Sequence, residues 1–177
     1  MLIDSDRLAR EVVAPGTDGL AEVTARFGAD VIAADGSLDR AALGRMVFAD
    51  DQARQDLEAI VHPRVQSRSA DIMATAAVDA VIVHDIPLLV ELHREGDYDL
   101  VVVVGAATET RVQRMVDHRG MSAEQARQRV AAQATDAQRR TVADIWITNE
   151  GTQSELQAEA VRIWREEILP RAGADGS

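Results

Sequence analysis

Short, almost unbroken apolar runs constrain this chain most: Ala80-Val81-Ile82-Val83-His84 closing at Asp85, Tyr98 to Val104 closing at Gly105, and Ala143 to Ile147. Runs this short, bounded by turn residues and rich in Val and Ile, read as strands rather than helices. A strand apolar at successive positions is buried on both faces, which happens in parallel sheets covered by helices. Leu2-Ile3 reads as a further strand end. Helical patterns fill the intervals, so the expected fold is α/β, a doubly wound parallel sheet in one domain spanning 1–177.

The helices have legible ends. Ser5 to Val13 is stopped by Ala14-Pro15-Gly16, and Gly19 to Phe27 ends at Gly28. Asp39 caps a helix running to about Phe48. Asp50 starts another, expected to break before Pro63 and resume to about Ala76, because proline lacks the N–H a helix interior needs. Thr108 to about His118 is helical. Ser122-Ala123-Glu124-Gln125, Thr135-Asp136-Ala137-Gln138 and Thr152-Gln153-Ser154-Glu155 all match the capping box. The final helix ends near Leu169, and residues 171–177 are expected to fray.

Charge excludes some functions and suggests another. The net charge of −11 argues against general nucleic-acid binding. No apolar run approaches the roughly 18 residues of a membrane span, so no membrane partner is expected and a cytoplasmic location is. Cysteine is absent, which removes thiolate chemistry. All 19 basic residues are arginine. Residues 111–140 hold seven arginines (111, 114, 119, 127, 129, 139 and 140) against Asp117, Glu124 and Asp136. This window is +4 (7 − 3) and the rest of the chain −15 (−11 − 4). A basic patch on an acidic protein suits a small anion, most simply phosphates gripped by guanidinium forks. With its capped helices, the window reads as a lid over about 111–140. The bland alternative is a solvated surface with Glu124 and Asp136 as partners.

Three other constellations could carry chemistry. Asp4 and Asp6, two apart, would point to one side of a strand, where paired carboxylates can hold Mg²⁺ or accept a hydroxyl proton. Equally, Asp4 could end the strand while Asp6 supports the next helix's positive end. Asp85 ends an apolar strand, as Mg²⁺-holding carboxylates do in phosphoryl transfer. His62-Pro63 reads first as a structural kink, and His84 as a packed histidine.

Taken in order, several segments resemble the dephospho-CoA kinase family: Ile3-Asp4-Ser5-Asp6-Arg7 through Val13, Pro15-Gly16-Thr17, Asp35-Gly36-Ser37-Leu38-Asp39-Arg40, Ile60-Val61-His62-Pro63, Asp85-Ile86-Pro87-Leu88-Leu89-Val90-Glu91, Arg119-Gly120-Met121 and Ala131-Ala132-Gln133-Ala134. The resemblance runs from residue 2 to about 165. It implies a P-loop kinase fold that phosphorylates the ribose 3′-hydroxyl of dephospho-CoA, with ATP as co-substrate and Mg²⁺. By that likeness Asp6 is the base or orienter of the hydroxyl, and Arg114 stabilises the transferring phosphoryl group. Arg111, Gln133 and Arg139 belong to the phosphate-gripping lid. His62, Pro63, Pro87, Leu88 and Leu89 line the dephospho-CoA site, and Asp4 and Asp85 support Mg²⁺.

The same resemblance implies a segment that these residues do not include. The family opens with a strand, a glycine-rich loop ending Lys-Ser/Thr, and a helix, roughly 25 residues in all. No Gly-x-x-x-x-Gly-Lys occurs in the chain, and no lysine at all. That loop cradles phosphates, neutralises them and holds Mg²⁺. The expectation is a truncated domain, without the central first strand, that transfers no phosphate alone. Two alternatives stand beside it. One is a remnant that binds dephospho-CoA or CoA without catalysis. The other is a haloacid-dehalogenase-like phosphatase, suggested by Asp4-x-Asp6 but with Leu8 where that motif wants Thr. Nothing in the sequence specifies an oligomeric state.

Overall fold

The structure, a computed structural model, describes residues 1–174. It divides into two compact units, Met1–Pro87 and Leu88–Ser177.

In the first unit, strand β1 (Leu2–Asp4) leads directly into helix α1 (Ser5–Glu11), followed by α2 (Asp18–Phe27), α3 (Arg40–Ala49) and α4 (Asp51–Met73), before strand β2 (Val83–Asp85). The two strands pair in parallel, with Leu2 beside Val83, Ile3 beside His84 and Asp4 beside Asp85. Helices α1, α2 and α3 all pack on α4. Their shared core is Val13, Val23, Phe27, Val31, Leu43, Ala53 and Ile60. Ile3 and Leu8 are completely buried, which ties the strand and the first helix to the interior. Caps set the helix starts. Thr17 accepts from Leu20 N–H, Asp39 from Ala41 and Ala42 N–H, and Asp50 from Gln52 N–H. Gly28 ends α2 at φ 88°, a left-handed conformation that glycine adopts without steric cost.

Pro63 departs from expectation. The helix does not break there: α4 runs unbroken over 23 residues with Pro63 inside it. The proline removes a bond to the preceding turn, but Arg64 Nη1 donates to Ile60 O at 2.7 Å and satisfies a carbonyl in the disturbed turn. Arg64 also pairs with Glu22 on α2, while Ile60 is buried in the core. Tertiary packing therefore holds both sides of the proline in one helix.

In the second unit, strand β3 (Val102–Gly105) is followed by α5 (Thr108–Arg119), α6 (Ala123–Ala131), α7 (Asp136–Val142), strand β4 (Ile145–Thr148), α8 (Gln153–Ile163), a π turn over Trp164–Ile168, and α9 (Leu169–Ala174). Strands β3 and β4 are parallel, from Val102 beside Ile145 to Gly105 beside Thr148. Asp144 fixes this register: its carboxylate accepts Val101 N–H at 2.7 Å, and its own N–H donates to Val101 O. Gly105 allows close approach, since a Cβ there would overlap the Trp146 ring. Ile145, Ile147 and Ile163 form one core, and Val112, Ala126 and Val130 another between α5 and α6.

The α/β class and the parallel pairing are as expected, but three features are not. The strands form two two-stranded sheets rather than one. Nor are the apolar strands buried on both faces, since Val83, Val102 and Val104 are exposed, the last at 52%. Residues 171–174 are helical rather than frayed, and the remainder of that expected tail lies outside the described residues.

Pro63 is exposed, and a proline in a helix interior costs up to about 3 kcal/mol relative to alanine. Pro63→Ala should therefore raise stability by about 1–3 kcal/mol, read as a higher urea midpoint at unchanged m-value. An unchanged or lower midpoint would show that ring packing outweighs the missing hydrogen bond.

Candidate functional site

The first unit places Asp4 and Asp85 where β1 and β2 end. Asp4 and Asp85 are register neighbours at the carboxyl ends of parallel strands, the place where open α/β sheets bind ligands. Asp4 and Asp6 do not share a strand face. The strand stops at Asp4, whose Oδ1 accepts Arg7 N–H at 2.9 Å as the cap of α1, and Asp6 sits in that helix's first turn. The exposed Asp6 carboxylate lies at the positive end of α1, free of any such cap. The sequence did not flag Ser5, whose hydroxyl lies 3.0 Å from His84 Nε2 and joins the two strand ends. His62 is half-buried and Pro63 exposed on α4, while Pro87 closes the unit.

Among the described residues no group of three or more acids and histidines is placed to hold a metal ion. Two adjacent carboxylates nevertheless fit Mg²⁺, which commonly takes one or two from protein and the rest from water and phosphate.

The second unit carries the arginines, and its acids neutralise them more than local counting suggested. Arg111 Nη2 donates to Asp136 Oδ1 at 3.0 Å, tying α5 to the first turn of α7. Arg139 Nη2 lies 3.5 Å from Glu91 Oε1 and 3.3 Å from Gln133 Oε1. Glu91 Oε1 also accepts Ala134 N–H at 2.7 Å. Burial pushes the Glu91 carboxyl upward, but the Ala134 N–H and the Arg139 guanidinium outweigh it and hold the group below its ordinary range. Arg114 is half-buried and points Nη2 at Gly151 O, 3.5 Å away. Arg140 stacks on Trp146, 3.8 Å from its ring centre. All three capping boxes are present, at Ser122, Thr135 and Thr152. Leu88 is exposed and Leu89 half-buried, in a turn closed by Leu92 N–H to Leu88 O.

Helix α5 has no capping side chain of its own, since Ala107 precedes it. Glu150, just beyond β4, does this work from a distance. It accepts Ala107 N–H and, at 2.6 Å, the Thr110 hydroxyl. Those two bonds, with Arg114 and Arg111 nearby, hold its carboxyl low. Beside it lies an open hollow of about 340 Å³, lined by Trp146, Thr148, Asn149, Gly151, Thr152 and Glu155 among others.

The model of the family described as dephospho-CoA kinase matches residues 1–155. The chain belongs to the dephospho-CoA kinase family. It is 52% identical over 172 residues to a protein named dephospho-CoA kinase from Mycolicibacterium paratuberculosis, covering 97% of this chain and 42% of that one. It is 51% identical over 171 residues to a protein of the same name from Frankia casuarinae, covering 97% and 74%. The chain thus spans less than half of the first relative and about three quarters of the second. A solved structure from Thermus thermophilus superposes with a TM-score of 0.78 at 30% identity, covering 94% of this chain and 84% of that one.

Within this member of the dephospho-CoA kinase family, the expected site residues fall into two sets. Asp4, Asp6, His62, Pro63, Asp85 and Pro87 belong to the first unit, and Leu88, Leu89, Arg111, Arg114, Gln133 and Arg139 to the second. Gln133 and Arg139 are brought together directly. Glu91 and Glu150 were missed as parts of the arrangement. Only Glu91's place beside Pro87-Leu88-Leu89 could have drawn attention to it.

Glu150 supplies a pH test. A carboxyl held below its unfolded pKa adds stability above the unfolded value and loses it as pH falls through the folded one. Glu150→Gln should lower stability at pH 7 and narrow its loss between pH 7 and pH 3, followed by urea titration at each pH. Equal acid sensitivity in the two proteins would remove Glu150 from the cap.

Proposed function

We propose that this chain serves the ATP-dependent phosphorylation of the ribose 3′-hydroxyl of dephospho-CoA, giving coenzyme A in the cytoplasm. The observation that carries the reading is the carboxylate edge of the first unit, with Asp4 beside Asp85 and Asp6 in the next helical turn, in a chain of this family. In the reaction the 3′-oxygen bonds to the γ-phosphorus, the bond from that phosphorus to the bridging oxygen of ADP breaks, and the hydroxyl proton leaves. By the family likeness Asp6 accepts that proton or orients the hydroxyl, and its exposed carboxylate is within a substrate's reach. Arg114 and the lid residues Arg111, Gln133 and Arg139 stabilise phosphoryl charge, as guanidinium forks do. His62, Pro63, Pro87, Leu88 and Leu89 line the dephospho-CoA side. Asp4 and Asp85 would hold Mg²⁺, which supplies charge neutralisation on the phosphates when bound.

The 177 residues contain no lysine and no glycine-rich phosphate loop. We accordingly place dephospho-CoA recognition and lid chemistry in them, and expect no phosphoryl transfer from them alone. The phosphatase reading gains nothing from the structure, because Asp4 is engaged as a helix cap and Leu8 is fully buried.

Calorimetry should detect dephospho-CoA binding to the 177-residue protein, weakened about tenfold in Leu88→Ala/Leu89→Ala, a loss of ~1.4 kcal/mol. A coupled assay of ADP release should show no turnover. In a longer form that includes a phosphate loop, Asp6→Asn should lower kcat by about 10² or more. Absence of dephospho-CoA binding would sink the substrate assignment, and turnover by the 177 residues would sink the requirement for the loop.

A further inference from the structure

Glu91 stands outside every role assigned above, yet it is the acid on which the α6–α7 region converges. One carboxylate oxygen, Oε1, accepts the Ala134 N–H at 2.7 Å and meets Arg139 Nη2 at 3.5 Å. Both side chains of the pair are well covered, Arg139 at 15% exposed and Glu91 at 22%. Ala134 lies in the turn joining α6 to α7, and Arg139 lies on α7 itself. From the other side, Arg111 on α5 holds Asp136 in the first turn of α7. Helix α7 has only seven residues, too few to be stable by itself, so its placement depends on such outside contacts. The Glu91 contacts on Arg139 use Nη2 alone, and Gln133 shares that same nitrogen. Among the described residues this leaves Nε and Nη1 of Arg139 for another acceptor.

We propose that Glu91 is a positioning residue for Arg139, fixing the α6–α7 turn and presenting the unused side of the guanidinium fork to a phosphate. The phosphate half of this inference rests on the reading of Arg139 given above. Glu91 would act as a built-in counter-anion. It lowers the cost of covering a guanidinium before ligand arrives, and it removes the freedom Arg139 would otherwise lose on binding. The soft 3.5 Å contact matters here, because a tight two-pronged pair would occupy the fork that a phosphate needs.

The test uses the 177-residue protein and two variants of different chemistry. Glu91→Ala removes both contacts, whereas Glu91→Gln keeps an acceptor for Ala134 and removes only the charge facing Arg139. Amide exchange should accelerate at least tenfold over residues 133–142 in Glu91→Ala, stay near the unmodified rate in Glu91→Gln, and not change in α4 in either. The Arg139 guanidinium NMR signals, distinct in the unmodified protein through restrained rotation, should merge in both variants. In a longer form that includes a phosphate loop, Mg²⁺-ATP titration should show several-fold weaker binding for Glu91→Gln, and no further loss when it is combined with Arg139→Ala. Unchanged exchange in Glu91→Ala, or unmerged Arg139 signals in both variants, would overturn the positioning role. Tighter ATP binding by Glu91→Gln would overturn it too, by showing that the carboxylate competes with phosphate. Unchanged ATP binding by Arg139→Ala in that longer form would count against the function proposed for Arg139, and the exchange and NMR results would then decide the role of Glu91 alone.

Discussion

Parallel pairing of very short strands is the constraint from which the rest follows. Three residue pairs join β1 to β2 and four join β3 to β4. Ladders that short are marginal, so each strand is held by what it connects to. Ile3 is completely buried and continues at once into α1, which packs on α4 and leads through Val12 and Val13 into the core that α2 and α3 share. Ile145 and Ile147 are covered by Ile163 of α8. Parallel direction then sends every strand's carboxyl end the same way within its sheet. That is why Asp4 and Asp85, 81 positions apart in sequence (85 − 4), become neighbours.

Every helix must satisfy its first N–H groups, and the chain does so largely with acids and hydroxyls. Asp4, Asp39 and Asp50 cap three helices, and Thr17, Ser122, Thr135 and Thr152 four more. Capping and site chemistry compete for the same side chains. Asp4 is spent partly on Arg7 N–H, whereas Asp6, one step inside the helix, is not. Of two carboxylates that look equivalent in sequence, the first is thus tied to the helix start and the second is left outside the cap.

What the sequence revealed follows the range of the interaction. The capping boxes were legible because cap and partner lie three residues apart, and Gly28 because a positive φ favours its residue type. Pro63 was misjudged because the local rule is sound but Arg64, Glu22 and the burial of Ile60 override it from α2 and the core. Spacing left two readings of Asp4 and Asp6 open, and the structure has the one in which Asp4 ends the strand and Asp6 lies in the next helix's first turn. Within the 111–140 window Asp136 is legible as a partner and does pair with Arg111, but the contacts from outside the window are not. Glu91 reaches Arg139 across 48 positions and Glu150 reaches Thr110 across 40. The splitting of the sheet into two pairs was likewise invisible, because apolar runs reveal strands but not their neighbours.

The absence of lysine gives these long-range contacts their character. An ammonium is a compact point charge, whereas a guanidinium spreads five donors over a rigid plane. Arg162 uses that plane to meet Glu159, Glu166 and Glu167 together, and Arg64 to serve a backbone carbonyl and a carboxylate at once. Arg111 reaches Asp136 and Thr108 with one nitrogen, and Arg139 reaches Glu91 and Gln133 with one. Among the described residues Arg139 keeps Nε and Nη1 in reserve while it holds the scaffold. A lysine in the same place would have to give up its scaffold partner, or share a single charge centre, to meet a phosphate. The arginine-only composition therefore lets one side chain serve several scaffold partners at once, and in the lid reading proposed above it leaves Arg139 donors for a phosphate.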